Sequence, residues 1–354
     1  MNRRLRVAFI GSARFPIRQP FAGGLEAHTW AMVRGMQQRG HTVTVFGGAG
    51  CDPALNVEEI IASRPRISDA ARADVSMTSD EWLAEHHAYL RLMLDLADRG
   101  DDFDIVHNNC LHHLPIAMAR MVPVPMVCTL HTPPTPWLES AIQVGPCPVT
   151  FAAVSSHTAR SWSSHIPVSR VIPNGVDADV WQRGPGGGPL LWSGRLVPEK
   201  GADLAIRAAR RAGLRLDVVG PVGDQDYFSM CVQPLLGGNV RYLGHLDHTD
   251  LARLAGAASA SVVTPRWDEP YGLVAAESLS CGTPVCGFAR GALPELLDEH
   301  CAVLVEPDDV NALAAAMHVA VRLSRDTARA HALAHCSQDV MIDRYESLYA
   351  ELVA

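Results

Sequence analysis

The chain has 354 residues, a formal net charge of -8 and 48% hydrophobic residues. That length suggests two domains, and the apolar content is enough for two cores. An acidic balance with no basic stripe excludes broad binding to nucleic acid or to anionic membranes, since both need clustered Lys and Arg.

The first residues run into Val7-Ala8-Phe9-Ile10-Gly11, too short for a signal peptide and suited to a buried strand, predicted over 5–11. A Pro- and Arg-rich loop follows, then Gly23-Gly24-Leu25-Glu26 and an apolar-periodic helix to about 39, where Gly40 stops it. A second strand is predicted over 41–47. The segment 57–75 is ambiguous, and Arg64, Arg66 and Arg72 in it are read as solvent-facing. A long helix is predicted over 79–99, and later strands over 104–107, 125–131, 150–154 and 170–172. His107, His131 and Ser155 then fall at the carboxyl edge of a parallel sheet, where open α/β folds bind ligands.

The run Arg183-Gly184-Pro185-Gly186-Gly187-Gly188-Pro189 breaks the pattern and is read as a flexible domain boundary. A second alternating series follows. Strands are predicted over 190–193, 215–220, 240–243, 260–264, 284–288 and 302–305. Helices are predicted over 198–212, near 225–236, over 248–257, after Gly272, over 308–324 and about 338–353. Both halves read as doubly wound parallel α/β sheets with a cleft between them as the expected site. The nine cysteines are scattered, with no C-x-x-C pair, which fits a cytoplasmic, reducing environment better than a disulfide scaffold or a zinc site. No apolar run approaches the length of a membrane span.

The stretch Asp268-Glu269-Pro270-Tyr271-Gly272-Leu273 with Glu277 carries the strongest chemical signal. Eight residues of helix rise about 12 Å, so Glu269 just before the helix and Glu277 within it lie near one face and can hold two hydroxyl-bearing parts of one ligand. Between them, the open N–H groups of Gly272 and Leu273 at a helix start favour an anion such as phosphate. A capping acid and a surface glutamate on an ordinary helix would give the same letters. Among 30 basic residues, Lys200 is the only lysine. It follows Ser193-Gly194-Arg195 across a strand-to-helix turn, so Arg195 and Lys200 can converge on a diphosphate, the first as a fork and the second as a point charge. Pairing with a nearby acid such as Glu199 is the alternative. Gly23 and Gly24 allow close approach of backbone to a ligand, or mark a tight turn. His131 is fixed between a buried strand and Pro133-Pro134, a better functional candidate than His86-His87 or His112-His113. No His/Cys spacing suggests a metal.

Taken together, Glu269-x7-Glu277 with Tyr271-Gly272-Leu273, Gly194-Arg195-x4-Lys200-Gly201, Gly23-Gly24-x-Glu26 and Ile172-Pro173-Asn174-Gly175-Val176-Asp177 resemble the retaining glycosyltransferases of family 4, in order and spacing across almost the whole chain. The resemblance implies the GT-B fold: two Rossmann-like doubly wound domains facing a cleft, with a C-terminal helix crossing back to the first. It places an acceptor-binding domain over 1–182 plus about 338–354, and a donor-binding domain over 183–337. It further implies transfer of a hexose or N-acetylhexosamine from a nucleotide diphosphate, foremost UDP, to a small-molecule, glycan or lipid hydroxyl. Carried over by residue, Glu269 holds sugar hydroxyls, Glu277 the ribose, Gly272 and Leu273 the sugar and diphosphate through N–H groups. Arg195 and Lys200 hold the diphosphate, with Gly24 approaching it from the other domain. His131 lies near the transferred sugar, and Gly220, Leu243 and His245 fall where the base is cradled. The expected mechanism is front-face attack with no metal and no cofactor. The loops 14–24 and 56–75 would set the acceptor. A sugar-nucleotide epimerase of similar fold, or a catalytically silent donor-binding subunit, are the competing readings.

Overall fold

The computed structural model describes residues 3–61, 63, 66–76 and 78–354. The first sheet contains β1 (Arg6–Ile10), β2 (Thr42–Gly47), β3 (Val57–Glu59), β4 (Ile105–Asn108), β5 (Met126–Leu130), β6 (Val149–Ala153) and β7 (Val168–Val171), in the order β3-β2-β1-β4-β5-β6-β7. The second contains β8 (Leu190–Ser193), β9 (Leu216–Val219), β10 (Val240–Tyr242), β11 (Ser261–Val263), β12 (Val285–Phe288) and β13 (Ala302–Val305), in the order β10-β9-β8-β11-β12-β13. Every pairing is parallel. In each sheet the strand order reverses once, beside β1 in the first and beside β8 in the second. The crevice outside the carboxyl ends at such a point is where a doubly wound sheet offers space to a ligand.

Continuous apolar strands arise because helices cover both faces of each sheet. Along β1, Val7 and Phe9 pack with Met32, Tyr345 and Tyr349, while Ala8 and Ile10 pack with Tyr89, Leu92 and Met93. Helices Gly24–Gln38 and Gln338–Leu352 therefore share one face, and Asp80–Asp98 covers the other. The C-terminal helix thus crosses back from the second sheet to close the first. In the second sheet, Leu190, Trp192 and Val218 face the helices Ala202–Ala212 and Val310–Ala320, and Leu191 and Val219 face the cluster around Leu279 and Leu293.

Three local differences from expectation have physical causes. The ambiguous segment supplies the edge strand β3, paired to β2 through Val45↔Val57. Arg66 and Arg72 are exposed, and Arg64 lies outside the described residues. The helix predicted near 225–236 is broken into Gln225–Tyr227, a π turn at Phe228–Val232 and a 3-10 turn at Gln233–Leu235, where Pro234 cannot donate to a helical carbonyl. The glycine run after Arg183 is pinned rather than free. Gly184, Gly186 and Gly188 donate to the carbonyls of Cys281, Gly256 and Ala257, and the Arg325 guanidinium bonds the carbonyls of Ala258, Gly256 and Cys281 beside it.

Candidate active site

The carboxyl ends of the two sheets face each other across a cavity of 330 Å³. From the first domain, Gly23, Gly24 and His131 reach it; from the second come Arg195, Lys200, Gly220, His245, Glu269, Tyr271, Gly272, Leu273 and Glu277. The gap is narrow at Gly24, where an added Cβ would meet Leu273 Cδ1 at 3.1 Å.

Lys200 does not stand beside Arg195 as a free second charge, nor does it pair with Glu199. Its Nζ lies 2.9 and 2.7 Å from the two carboxylate oxygens of Glu269. The Trp267 indole braces the pair, donating to Glu269 Oε2 at 2.9 Å, and Lys200 Nζ sits 5.1 Å from the centre of its ring. A partly buried, bidentate pair of this kind holds both groups in fixed positions. Arg195 remains exposed and reaches toward the first domain, its Nε 4.0 Å from where a Gly23 side chain would begin. Burial raises the carboxyl of Glu26 above its ordinary range, and Arg195 opposes that rise.

The helix Leu273–Ser280 starts at Gly272, whose carbonyl accepts from the N–H groups of Ala275 and Ala276. The N–H groups of Leu273 and Val274 are left unclaimed by the helix and open at its positive end. Glu277, one turn further in, lines the same cavity, and desolvation pushes its carboxyl up to about 8. It is a half-buried acid at the cavity floor rather than a surface glutamate.

The hydrogen bonds around His131 fix its tautomer. Thr29 Oγ1 donates to the Leu25 carbonyl (2.8 Å), so it accepts from Asn109 Nδ2 (3.4 Å), which turns Asn109 Oδ1 toward His131 Nε2 (3.0 Å). Nε2 therefore carries the proton and Nδ1 keeps its lone pair. Burial, with His28 at 4.9 Å ring to ring, holds the imidazole well below its usual range, so it is a neutral hydrogen-bonding group and not a cation.

Two predicted residues are placed differently. Tyr271 lines the cavity, but its ring is largely buried in the second core and its hydroxyl faces Cys336. Leu243 is not on the cavity wall; it packs against the core and its N–H donates to Val218 O at 2.9 Å. Gly220 does line the wall, and with φ +142 and the Gly194 carbonyl 1.9 Å from where a Cβ would be, its position admits no side chain. His245 is exposed and borders both this cavity and a larger one beside it.

Comparison with known proteins agrees with this geometry. Residues 22–180 match the family described as Glycosyltransferase Family 4, and residues 185–332 match Glycosyl transferases group 1. Glycogen synthase of Mycobacterium tuberculosis is 32% identical over 343 residues, spanning 83% of this chain and 81% of the relative. The chain belongs to glycosyltransferase family 4. D-inositol 3-phosphate glycosyltransferase of Nocardiopsis dassonvillei is 28% identical over 88% of this chain and 85% of the relative. HepE of Anabaena, solved in complex with UDP and glucose, has the same GT-B fold, with a TM-score of 0.76 at 17% identity over 99% of this chain and 100% of that one.

The site also contains side-chain contacts that the sequence did not mark. Trp267 lies two positions before Glu269, and nothing in spacing alone says that its indole would turn back onto that carboxylate. Asn109 follows the end of β4, a carboxyl-edge position like that of His131, and this is the signal that could have found it. Among the described residues, two clusters have metal-ligand geometry, His86/His112/His113 and Asp298/Cys301/His331; none of the six lines the 330 Å³ cavity. No described helix is long and apolar enough to cross a membrane.

Proposed function

We propose that this glycosyltransferase moves a hexose or N-acetylhexosamine from a nucleotide diphosphate sugar, with UDP as the nucleotide, to a hydroxyl acceptor with retention of anomeric configuration and without a metal. The observation that carries this reading is the Lys200–Glu269 pair set beside the open N-terminus of Leu273–Ser280 and the acid Glu277 in one cleft. A diphosphate drawn to Lys200, Arg195 and the Leu273 and Val274 N–H groups would release Glu269 toward the sugar hydroxyls, while Glu277 takes the ribose. UDP is chosen because HepE binds it on the same fold.

In the front-face route, the bond from C1 to the phosphate oxygen breaks as the acceptor oxygen bonds C1 from the same side. The acceptor proton passes to the departing phosphate oxygen. Charge builds on the diphosphate, where Arg195, Lys200 and the helix N–H groups can stabilise it. His131, neutral with a free Nδ1 lone pair, suits it to accept from a hydroxyl of the transferred sugar rather than to donate a charge. Glu269, already bonded to Lys200 and Trp267, acts as a positioner and not as a nucleophile.

The test is transfer from UDP-hexose by the wild type and by Lys200→Ala and Arg195→Ala. Each substitution is expected to lower turnover about 10²–10³-fold, the loss typical of removing one preorganised charge donor. Unchanged turnover in both would overturn the diphosphate clamp. Product anomers resolved by NMR decide retention, and activity surviving exhaustive chelation decides metal independence.

A further inference from the structure

Beside the donor cleft, and sharing Gly23, Gly24, Leu111 and Arg195 with it, lies a second cavity of 940 Å³. It is far larger than one hydroxyl group needs and falls in the size range of sites that enclose ligands of several rings. Of the loops expected to set the acceptor, the one over 14–24 builds much of its wall, whereas no described residue of 56–75 reaches it.

Its surface is unusual in two ways. First, four of the large apolar side chains that the fold leaves exposed meet there: Phe15 (49%), Leu111 (38%), Trp137 (40%) and Val222 (36%). Exposed apolar groups gathered around one hollow mark a surface that is covered by a ligand. Trp137 is also held rigidly from behind. Its ring stacks on His113 at 4.7 Å and 23°, His113 stacks on His112 at 4.3 Å and 28°, and His112 stacks on the buried Tyr89 at 4.2 Å and 14°. A platform already fixed in place loses little entropy when a ring settles on it. His86, stacked on Trp82 at 4.8 Å, extends the ladder. His86, His112 and His113 also bring one ring nitrogen each within 4.8 Å of one another, with the His86 ring tilted 54° from His112 and 27° from His113. His112 Nδ1 already accepts from the Leu114 N–H at 3.2 Å.

Second, the cavity holds little free positive charge on its acceptor side. The Arg14 guanidinium is closed by Glu85 through contacts of 2.8, 2.8 and 3.0 Å. The imidazole of His112 is neutral, pushed down to about 3 by burial and by its histidine neighbours. That leaves Arg18, which has no ion pair among the described residues, while Arg195 belongs to the donor side. A phosphorylated acceptor calls for several converging cations with uncommitted donors.

We infer that the acceptor is an uncharged, hydroxylated ring compound whose flat face lies on Trp137, with the Arg14–Glu85 pair bonding its hydroxyl edge. This rests on the transferase reading above and narrows its acceptor class. Acceptors such as those named for the inositol phosphate relatives are thereby excluded. A sugar ring and a hydroxylated aromatic ring both present an apolar face with a hydroxyl edge, so the experiment distinguishes them.

Binding and transfer are measured separately for the wild type, Trp137→Ala and Trp137→Phe. The probes are maltotriose, a hydroxylated diphenol and inositol 3-phosphate. Saturation-transfer NMR reads ring binding, and calorimetry with UDP reads the donor site. The expected result is that maltotriose or the diphenol binds and inositol 3-phosphate does not. Trp137→Ala should weaken that binding, and raise acceptor KM, about tenfold or more, the loss expected for a central aromatic anchor. Trp137→Phe should recover most of it, and UDP affinity should stay within about twofold of wild type. Whichever neutral ring binds identifies the source. Binding or transfer insensitive to Trp137→Ala, or inositol 3-phosphate used as well as the neutral rings, overturns the inference while leaving the transferase reading standing. Trp137-dependent ring binding with no transfer from any nucleotide sugar would instead overturn the transferase reading alone.

Discussion

Lys200 and Glu269 neutralise each other on the cleft wall, so neither can be altered without changing what the other is free to do. Glu269→Gln keeps the shape but releases the lysine charge. Turnover should fall about 10²-fold through lost sugar positioning, while affinity for UDP, measured by calorimetry, should rise a few-fold; a fall in UDP affinity would contradict the exchange of partners described above. Glu277 offers a test with a definite sign. Its carboxyl, raised to about 8 by burial, keeps its proton in the native state while the unfolded chain, with an ordinary value of 4.5, has lost it. Between those values the native state binds more protons than the unfolded state, so stability contributed at this site falls as pH rises. Glu277→Gln, which cannot ionise, should match the wild type in thermal midpoint near pH 4 and exceed it by a widening margin toward pH 8. A gap independent of pH would show that burial of this carboxyl is not what the substitution relieves. Both acids were legible from their spacing around Gly272. Their partners were not, because Trp267 on Glu269 and Asn109 on His131 are side-chain contacts that depend on how loops from separate strands fold back.

At the level of elements, the loop that carries Glu269 is fastened by the opposite domain. Ser155 Oγ and Thr158 Oγ1 donate to the Pro270 carbonyl at 2.6 and 3.2 Å, and the Glu295 carboxylate accepts from the N–H groups of Ser156 and His157 at 2.7 and 3.0 Å. The helix Ser156–Trp162 thus receives an acid at its positive end, and its N-cap Ser155 and Thr158 give two hydroxyls to the loop of Glu269. Replacing Ser155 with Ala and Glu295 with Gln together should misplace that loop, lowering kcat/KM about tenfold to a hundredfold, with UDP affinity nearly unchanged because most of the groups proposed to hold it, Arg195, Lys200 and the helix after Gly272, lie in the second domain. An equal loss in UDP affinity would show that the clamp shapes the donor site itself. The fold is readable from sequence where an apolar run is bounded by turn residues: β8, β13 and the helix His248–Ala257 fall where the pattern puts them. Helices Ser156–Trp162 and Arg325–His335 escape such reading. They are rich in polar residues, and distant groups hold them: Glu295 holds the first, and the carbonyls of Trp181, Ala258 and Gly256 hold the second through Arg329 and Arg325.

For the whole molecule, the chain passes between the sheets twice, and the two crossings run side by side. Val176 N–H donates to Cys336 O at 2.7 Å and Gln338 N–H to Val176 O at 3.2 Å, so the outgoing segment and the start of the returning helix form one short ribbon. Beyond it, the returning helix is anchored to the first domain by Tyr349 and Tyr345 on the buried His107–Thr129 pair and by Glu346 on His41 Nε2 at 2.8 Å. Any rocking of one domain on the other must bend this ribbon, and Gly175 sets how tightly it is drawn. A Cβ there would lie 2.4 Å from Gln338 Cα and 2.8 Å from its backbone nitrogen, contacts that no rotamer change relieves. Gly175→Ala should therefore push the crossings apart and shift the resting angle between the domains without touching either binding surface. UDP affinity should hold within about twofold, since Arg195, Lys200 and the helix after Gly272 move together. Transfer should fall about 10²-fold, because His131 and Gly24 on the first domain no longer meet the donor sugar in register. Urea unfolding followed by separate probes in the two domains should change from one coincident transition to two, the mark of lost coupling. A variant that keeps a single transition and full transfer would show that the paired crossings are not the hinge.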